Sequence, residues 1–163
     1  MTGKQNFSIR PAESGDYKAV NRLLLALHHA DYLGSPRSPL KKNPPYILSA
    51  NTYNQLLQQS TTQLFVAVAD QTIVGVIYLF IEETSADNET TASKQPVIGS
   101  LYIEDKYRCQ GLGSKLLQRA ERWARRYGTE LSTIVYGYNT EAQMFLQEHG
   151  YSTRSLRLNK DLE

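Results

Sequence analysis

The stretch Tyr107–Leu117, YRCQGLGSKLL, sets an arginine, a thiol and two glycines where a helical pattern is about to begin. The first turn of a helix presents N–H groups without intrahelical acceptors and a partial positive charge. Glycines there let a ligand approach the backbone, so the junction Glu104–Gly113 suits an anion, phosphate above all. Arg108 adds a charge beside it. The spacing excludes the two best-known phosphate loops: G-x-x-x-x-G-K-S/T is absent, and Leu116 stands where G-x-G-x-x-G needs its third glycine. A structural reading also accommodates the glycines, with Gly111 starting the helix and Gly113 allowing close helix–strand packing.

Other chemistry-bearing residues are scattered. Tyr102, Tyr136 and Tyr138 fall on expected strands and carry protons at neutral pH; Tyr136 and Tyr138 alternate to one face, a step from Asn139. Each also reads as a packing residue. Glu104, at a strand end, reads as a general base or as a surface acid. His28 and His29 are neighbours on an expected helix and point about 100° apart, so only one faces a given site. His149 sits near a helix C-terminus, where interaction with the dipole accounts for it. His28, His29, Cys109 and His149 have no metal-ligand spacing, and no metal is expected. Cys109, near Arg108 and a helix start, is a candidate for oxidation or a mixed disulfide.

The elements that must position these residues follow from periodicity and punctuation. Phe7–Arg10 alternates and is closed by Pro11, a first strand. Ser14 is expected to cap a helix with Asp16 in its first turn, its face formed by Tyr17, Val20, Leu23, Leu24 and Leu27, running to about Tyr32. Leu33–Tyr46 holds four prolines and the basic Arg37, Lys41 and Lys42, a long loop of functional or mobile type. Asn51–Gln59 reads as a second helix. Gln63–Ala69 and Thr72–Ile81 read as a hairpin turned at Asp70-Gln71. Glu82–Gln95 is polar and reads as a flexible loop, and Pro96–Glu104 as a further strand. A helix from Gly111 to Tyr127 carries the stripe Leu112, Leu116, Leu117, Ala120, Trp123 and Ala124. Its other face bears Lys115, Arg119, Arg122, Arg125 and Arg126, a solvated surface. Glu130–Tyr138 reads as a strand, Asn139 or Thr140 as the cap of a helix ended by Gly150, and Tyr151–Leu158 as a last strand. The order is βααβββαβαβ: an α/β (α+β) arrangement, a mixed sheet flanked by helices, in one domain spanning residues 1–163.

Composition narrows the function. The 163 residues carry a net charge of +2, which disfavours a dedicated nucleic-acid binder. The single cysteine forbids an intrachain disulfide and, with no secretory-type start, points to the cytoplasm. The longest apolar run, Ile73–Ile81, is far short of a membrane span, so no membrane partner is expected.

The motif that does fit is R-x-x-G-x-G, Arg108 to Gly113, after the strand Leu101-Tyr102-Ile103. It resembles the acyl-CoA-binding motif of the GNAT N-acetyltransferase superfamily. Asn139, Ala142, Phe145 and Gly150-Tyr151 resemble that family's N-x-x-A-x-x-F-Y-x-x-x-G-F/Y segment, SIRPAESGDYKAV its first strand and helix, and RSLRLNKDL the last strand of many members. The resemblance implies the GNAT acyl-CoA N-acyltransferase fold. It further implies that the backbone of Gln110, Leu112, Gly113 and Ser114 holds the CoA pyrophosphate, with Gly111 allowing approach and Arg108 and Cys109 in the same turn. Leu101, Tyr102 and Ile103 then lie along the pantetheine arm, Asn139 bonds its amides, and Phe145 lies beside it. The sheet is expected to splay after this strand and leave room for the thioester.

The implied reaction is transfer of acetyl from acetyl-CoA to a primary amine by direct attack in a ternary complex. Such chemistry needs the two groups placed about 3 Å apart, a polarised carbonyl, a base and an acid. Here the chain departs from the family: Leu146 occupies the position of the usual acidic tyrosine. Tyr136, Tyr138 or Glu104 are left as catalytic candidates, and His28 and Tyr32 as acceptor-side residues. Arg37, Lys41 and Lys42 favour an anionic acceptor and Asp31 a cationic one, so small amines and protein amines both stay open, as do monomer and homodimer. Leu146 also motivates an alternative, a non-catalytic acyl-CoA-binding module.

Overall fold

A computed structural model describes residues 5–35, 39–160 and 162. The strands are β1 (Phe7–Pro11), β2 (Thr62–Ala69), β3 (Thr72–Thr84), β4 (Ser93–Ile103) and β5 (Ser132–Thr133). The helices are α1 (Tyr17–Gly34), α2 (Ala50–Gln58), α3 (Leu112–Ala124) and α4 (Thr140–Glu148). The sheet order is β1-β2-β3-β4-β5, antiparallel except for the parallel β4–β5 pair. It is a mixed sheet flanked by helices.

Alternation along the strands builds two cores. Leu64, Val66, Ile73 and Val76 face α1 and α2, where they meet Val20, Leu23, Leu24 and Tyr53. Phe65, Ala67, Ile77, Leu79, Ile98 and Ile103 face α3 and α4, against Leu112, Leu116, Leu117, Ala120, Trp123 and Leu146. Each such side chain contributes about 1.5–3 kcal/mol on leaving water. The expected apolar stripes of α1 and α3 are therefore the faces buried.

Several boundaries differ from the sequence reading. Ser14 does not cap α1. Ser14–Asp16 is a 3₁₀ turn closed by a capping box between Glu13 and Asp16. Two hydrogen bonds from Arg10, of 2.7 and 3.0 Å, claim the Asp16 carboxylate. The Arg10 guanidinium, with the Glu13 N–H, holds that carboxyl below its usual range. The polar segment expected as a flexible loop is largely strand: Glu82, Glu83 and Thr84 pair with Gln95, Lys94 and Ser93. Hydrogen bonds of the ladder and a Glu83–Lys94 ion pair of 3.0 Å form there without any apolar face to signal them. The expected strand Glu130–Tyr138 is ordered as such only at Ser132–Thr133. Tyr151–Leu158 forms no strand, so among the described residues the order is βααβββαβα. Its only backbone hydrogen bond runs from the Tyr151 N–H to the Leu146 carbonyl.

Two features of the turns bear on the site. Asp70 and Gln71 take φ values of 45° and 71°, making the β2–β3 connection a two-residue hairpin turn of left-handed residues. In β4, Tyr78 pairs with Ser100 and Leu79 with Ile98, which leaves Gly99 as an unpaired extra residue. A Cβ on Gly99 would come 2.8 Å from the Tyr78 ring, so the bulge needs glycine.

Candidate active site

β4 and β5 pair at only two positions, Val97 with Ser132 and Ile98 with Thr133. Beyond Gly99 the two chains part. The β5 side of β4 from Gly99 to Ile103 then lacks a strand neighbour, while its other side stays paired to β3. Between the separated chains lies a cleft of about 330 Å³. Its walls are Ile98–Leu101 of β4, Thr133–Tyr136 beyond β5, Asn139, Ala142, Phe145 and Leu146 of α4, and Leu27 and Asp31 of α1. An open strand edge along a cleft accepts an extended amide-bearing chain as an added strand.

At the far end of β4 the chain turns through Asp105–Tyr107 into α3. Gly111 caps the helix at φ 81°, and Cys109 takes φ 57°. A left-handed residue other than glycine costs about 1–2 kcal/mol, which explains why a turn of this shape favours glycine at the position of Cys109. No atom lies within 4 Å of a Cβ placed on Gly111, so this corner of the turn is open. A Cβ on Gly113 would sit 3.1 Å from the Phe145 ring, so this glycine sets the approach of α4 to α3. The two readings of the glycine pair divide between them: Gly111 belongs to backbone shape and access, Gly113 to packing.

Arg108 is a brace for this turn. Its Nε donates to the Ile103 carbonyl at 3.0 Å, its guanidinium pairs with Asp105 at 2.9 Å, and it lies 5.4 Å from the Tyr102 ring centre. Gln110 Nε2 donates to the Lys106 carbonyl at 3.0 Å. Ser114 Oγ contacts His149 Nε2 at 2.8 Å, and His149 Nδ1 donates to the Phe145 carbonyl at 2.7 Å. His149 therefore ties the start of α3 to the end of α4, a task beyond the dipole interaction expected of it. Cys109 is exposed, with its thiol free. Leu112 is fully buried and anchors the turn to the core.

The candidates for proton chemistry sort by location. Tyr136 lines the cleft. Tyr138 stacks on it at 6.0 Å, but its hydroxyl donates to Asp31 Oδ1 at 2.6 Å. Burial, then the hydrogen bond and negative charge of Asp31, hold the Tyr138 hydroxyl well above the ordinary phenol range. Tyr102 lies on the α1 side of the sheet, its hydroxyl also pushed up, chiefly by burial. Glu104 is away from the cleft walls and forms an ion pair with Arg22 of α1, whose other nitrogen donates to the Ile73 carbonyl at 2.9 Å. His28 Nε2 donates to the Lys41 carbonyl at 2.7 Å, holding the loop after α1. Tyr32 is half-buried on α1, Lys41 and Lys42 are exposed, and Arg37 lies outside the described residues. Asn139 Oδ1 caps α4 by accepting from the Ala142 N–H at 3.1 Å, which leaves its amide N–H groups beside the cleft. Leu146 is buried in the cleft wall.

Sequence reasoning missed Leu27, Gly99, Ser100 and Thr133–Val135 as cleft residues. Only Gly99 had a local signal, an isolated glycine in a strand pattern, which marks a bulge or a close approach. Among the described residues no three His, Cys, Asp or Glu side chains converge into a metal-holding group, and no helix is long and apolar enough to cross a membrane.

Known proteins share this architecture. A point mutant of the BH1408 protein from Bacillus halodurans is 19% identical, with 96% of this chain and 99% of that one covered and a TM-score of 0.85. The aminoglycoside N-acetyltransferase AAC(6')-Iy, solved in complex with CoA, is 16% identical over 99% of both chains, with a TM-score of 0.70. The aminoglycoside 6'-N-acetyltransferase AAC(6')-Ih from Acinetobacter baumannii is 19% identical over 97% of this chain and 100% of that one, with a TM-score of 0.66. At such identities the likeness is one of fold. No curated protein sequence matches the chain. The sequence model of the acetyltransferase (GNAT) family matches residues 27–151, a span that holds both the parted strands and the glycine turn, and the chain therefore belongs to that family.

Proposed function

We propose that the protein is a cytoplasmic N-acetyltransferase that moves acetyl from acetyl-CoA to a primary amine on a small cationic acceptor. The observation that carries this reading is the unpaired edge of β4 beyond Gly99, running toward the open, left-handed turn at Gly111. An extended pantetheine arm has amides for such an edge. The backbone N–H groups of Gln110, Leu112, Gly113 and Ser114 suit a pyrophosphate at the other end.

The acceptor enters from the α1 side, where Asp31 supplies the negative charge of the cleft. Asp31 receives the ammonium, and Tyr138 orients its carboxylate. With the ammonium proton passed to Asp31 or through it to water, the amine nitrogen attacks the thioester carbon. The C–N bond forms, the C–S bond breaks, and the CoA sulfur leaves with the electron pair. Tyr136, the tyrosine that lines the cleft, serves as the acid that protonates it. Glu104 already neutralises Arg22 and takes no part. Acetyltransferases that act on aminoglycosides are among the structural neighbours, which makes polycationic amino sugars the first acceptors to try.

A second reading rests on Leu146, which lines the cleft where a proton donor would be useful and has none to give. One assay separates the two. With acetyl-CoA and a panel of primary amines that includes aminoglycosides, free thiol should rise above the no-amine control, together with an acetylated amine detected by mass. Tight CoA binding by calorimetry without thiol release from any amine would instead establish a binding module.

A further inference from the structure

Two stretches of the chain are built as strands and used as neither. Residues 152–158 carry the alternating apolar pair Leu156 and Leu158, 81% and 88% exposed. No backbone hydrogen bond ties them to any other described residue. Beside them, β5 is the terminal strand of the sheet, so its outer edge has no neighbour. It continues as Ile134, Val135 and Tyr136, with Ile134 92% exposed. Exposed edges and exposed apolar residues of this kind are covered in native proteins, because they pair with whatever strand arrives.

The segment's own chain does not cover the edge. Gly150, at φ 87°, ends α4, and the Tyr151 N–H is held by the Leu146 carbonyl. Arg154 then makes a two-point ion pair with Glu130, at 2.9 and 3.0 Å, which fixes the segment at the beginning of the edge. From there Leu156 and Leu158 stand in solvent rather than on Ile134. Each copy therefore presents one free strand and one free edge, both seven residues long when the edge is taken as 130–136.

We infer that two copies of this chain exchange residues 152–158, each laying its segment along the 130–136 edge of the other. The exchange covers Leu156, Leu158 and Ile134, satisfies the idle backbone groups and closes the sheet edges by symmetry. Ile134 also lines the cleft, so the segment from the second copy backs the outer wall of the candidate active site. The inference does not depend on the reaction proposed above.

Light scattering on the eluting protein should give twice the 18.5 kDa chain mass. The double variant Leu156→Asp/Leu158→Asp spoils the donor strand, and Ile134→Asp spoils the edge. Each should run at 18.5 kDa with an unchanged far-ultraviolet spectrum. Mixed in equal amounts they should recover dimer, because one intact strand then meets one intact edge. In hydrogen exchange, amides 152–158 should be slow in the wild type and at least about tenfold faster in the double variant. A wild-type monomer overturns the inference, whether those amides are fast or slow; slow amides in a monomer would mean that the segment folds onto its own edge. A dimer that survives both variants overturns it as well. If a variant fails to fold, the wild-type mass and exchange alone decide.

Discussion

The Tyr138 hydroxyl reaches across the mouth of the cleft to the carboxylate of Asp31, a 2.6 Å hydrogen bond between residues 107 positions apart. The Tyr138 ring also covers Gly34 so closely that any Cβ there would collide with it. The end of α1 and the chain beyond β5 are thus held together by one tyrosine, at the place where an acceptor would enter.

Tyr138→Phe removes that bond and leaves the ring. Under the proposed function, the acceptor KM should rise about five- to tenfold, with kcat changed by less than about twofold, the pattern of a lost positioning contact. Gly34→Ala should reproduce it by displacing the ring. Steady-state kinetics at saturating acetyl-CoA provides the check.

Gly113→Asp puts a carboxylate in the first turn of α3 and against Phe145. CoA affinity should fall by at least about tenfold in calorimetry. Cys109→Gly, two residues before Gly111, relieves a left-handed non-glycine residue. It should stabilise the fold by about 1 kcal/mol in urea denaturation without weakening CoA.

The site was legible where a single residue type has a single local use. Gly111 and Gly150 are left-handed, as glycines at helix ends are, and Asn139 caps α4 through its own side chain. The strand arms at Glu82–Thr84 and Ser93–Gln95 were not legible, because ladder hydrogen bonds use the backbone and leave no apolar pattern. Nor could periodicity show that the second tyrosine of the Tyr136 and Tyr138 pair would be claimed by Asp31. That depends on how α1 meets α4, a tertiary fact.

Asn21 shows the same limit. It lies within the apolar stripe of α1 and is buried, where its Nδ2 donates to the Leu48 carbonyl at 2.7 Å and its Oδ1 accepts from the Ile47 and Leu48 N–H groups at 2.9 and 3.3 Å. Asn21→Leu leaves these backbone groups unpaired in the interior. It should destabilise the protein by about 2–3 kcal/mol in urea, more than a typical surface change.

Tyr53 makes stability depend on alkaline pH. It is fully buried, donates to the Glu13 carbonyl at 2.7 Å, and burial pushes its hydroxyl up to about 12. The unfolded phenol ionises first, near 10. The neutral form therefore supports the fold fully below pH 10, and that support is lost as pH rises toward 12. Tyr53→Phe should cost about 1 kcal/mol at neutral pH and make the alkaline fall in Tm shallower. Tyr151, also pushed up to about 12, keeps part of the slope.

The extra residue at Gly99 sets the parity of all that follows it in β4. Ile98 lies toward α3, and an unbroken strand would send Leu101 and Ile103 toward α1 and Tyr102 toward α3. With Gly99 inserted, Leu101 and Ile103 lie toward α3 and Tyr102 toward α1. Deleting Gly99 would therefore not shorten the strand. It would turn its last arm inside out, sending a tyrosine into the aliphatic core and exchanging the sides on which successive backbone groups of the cleft edge point.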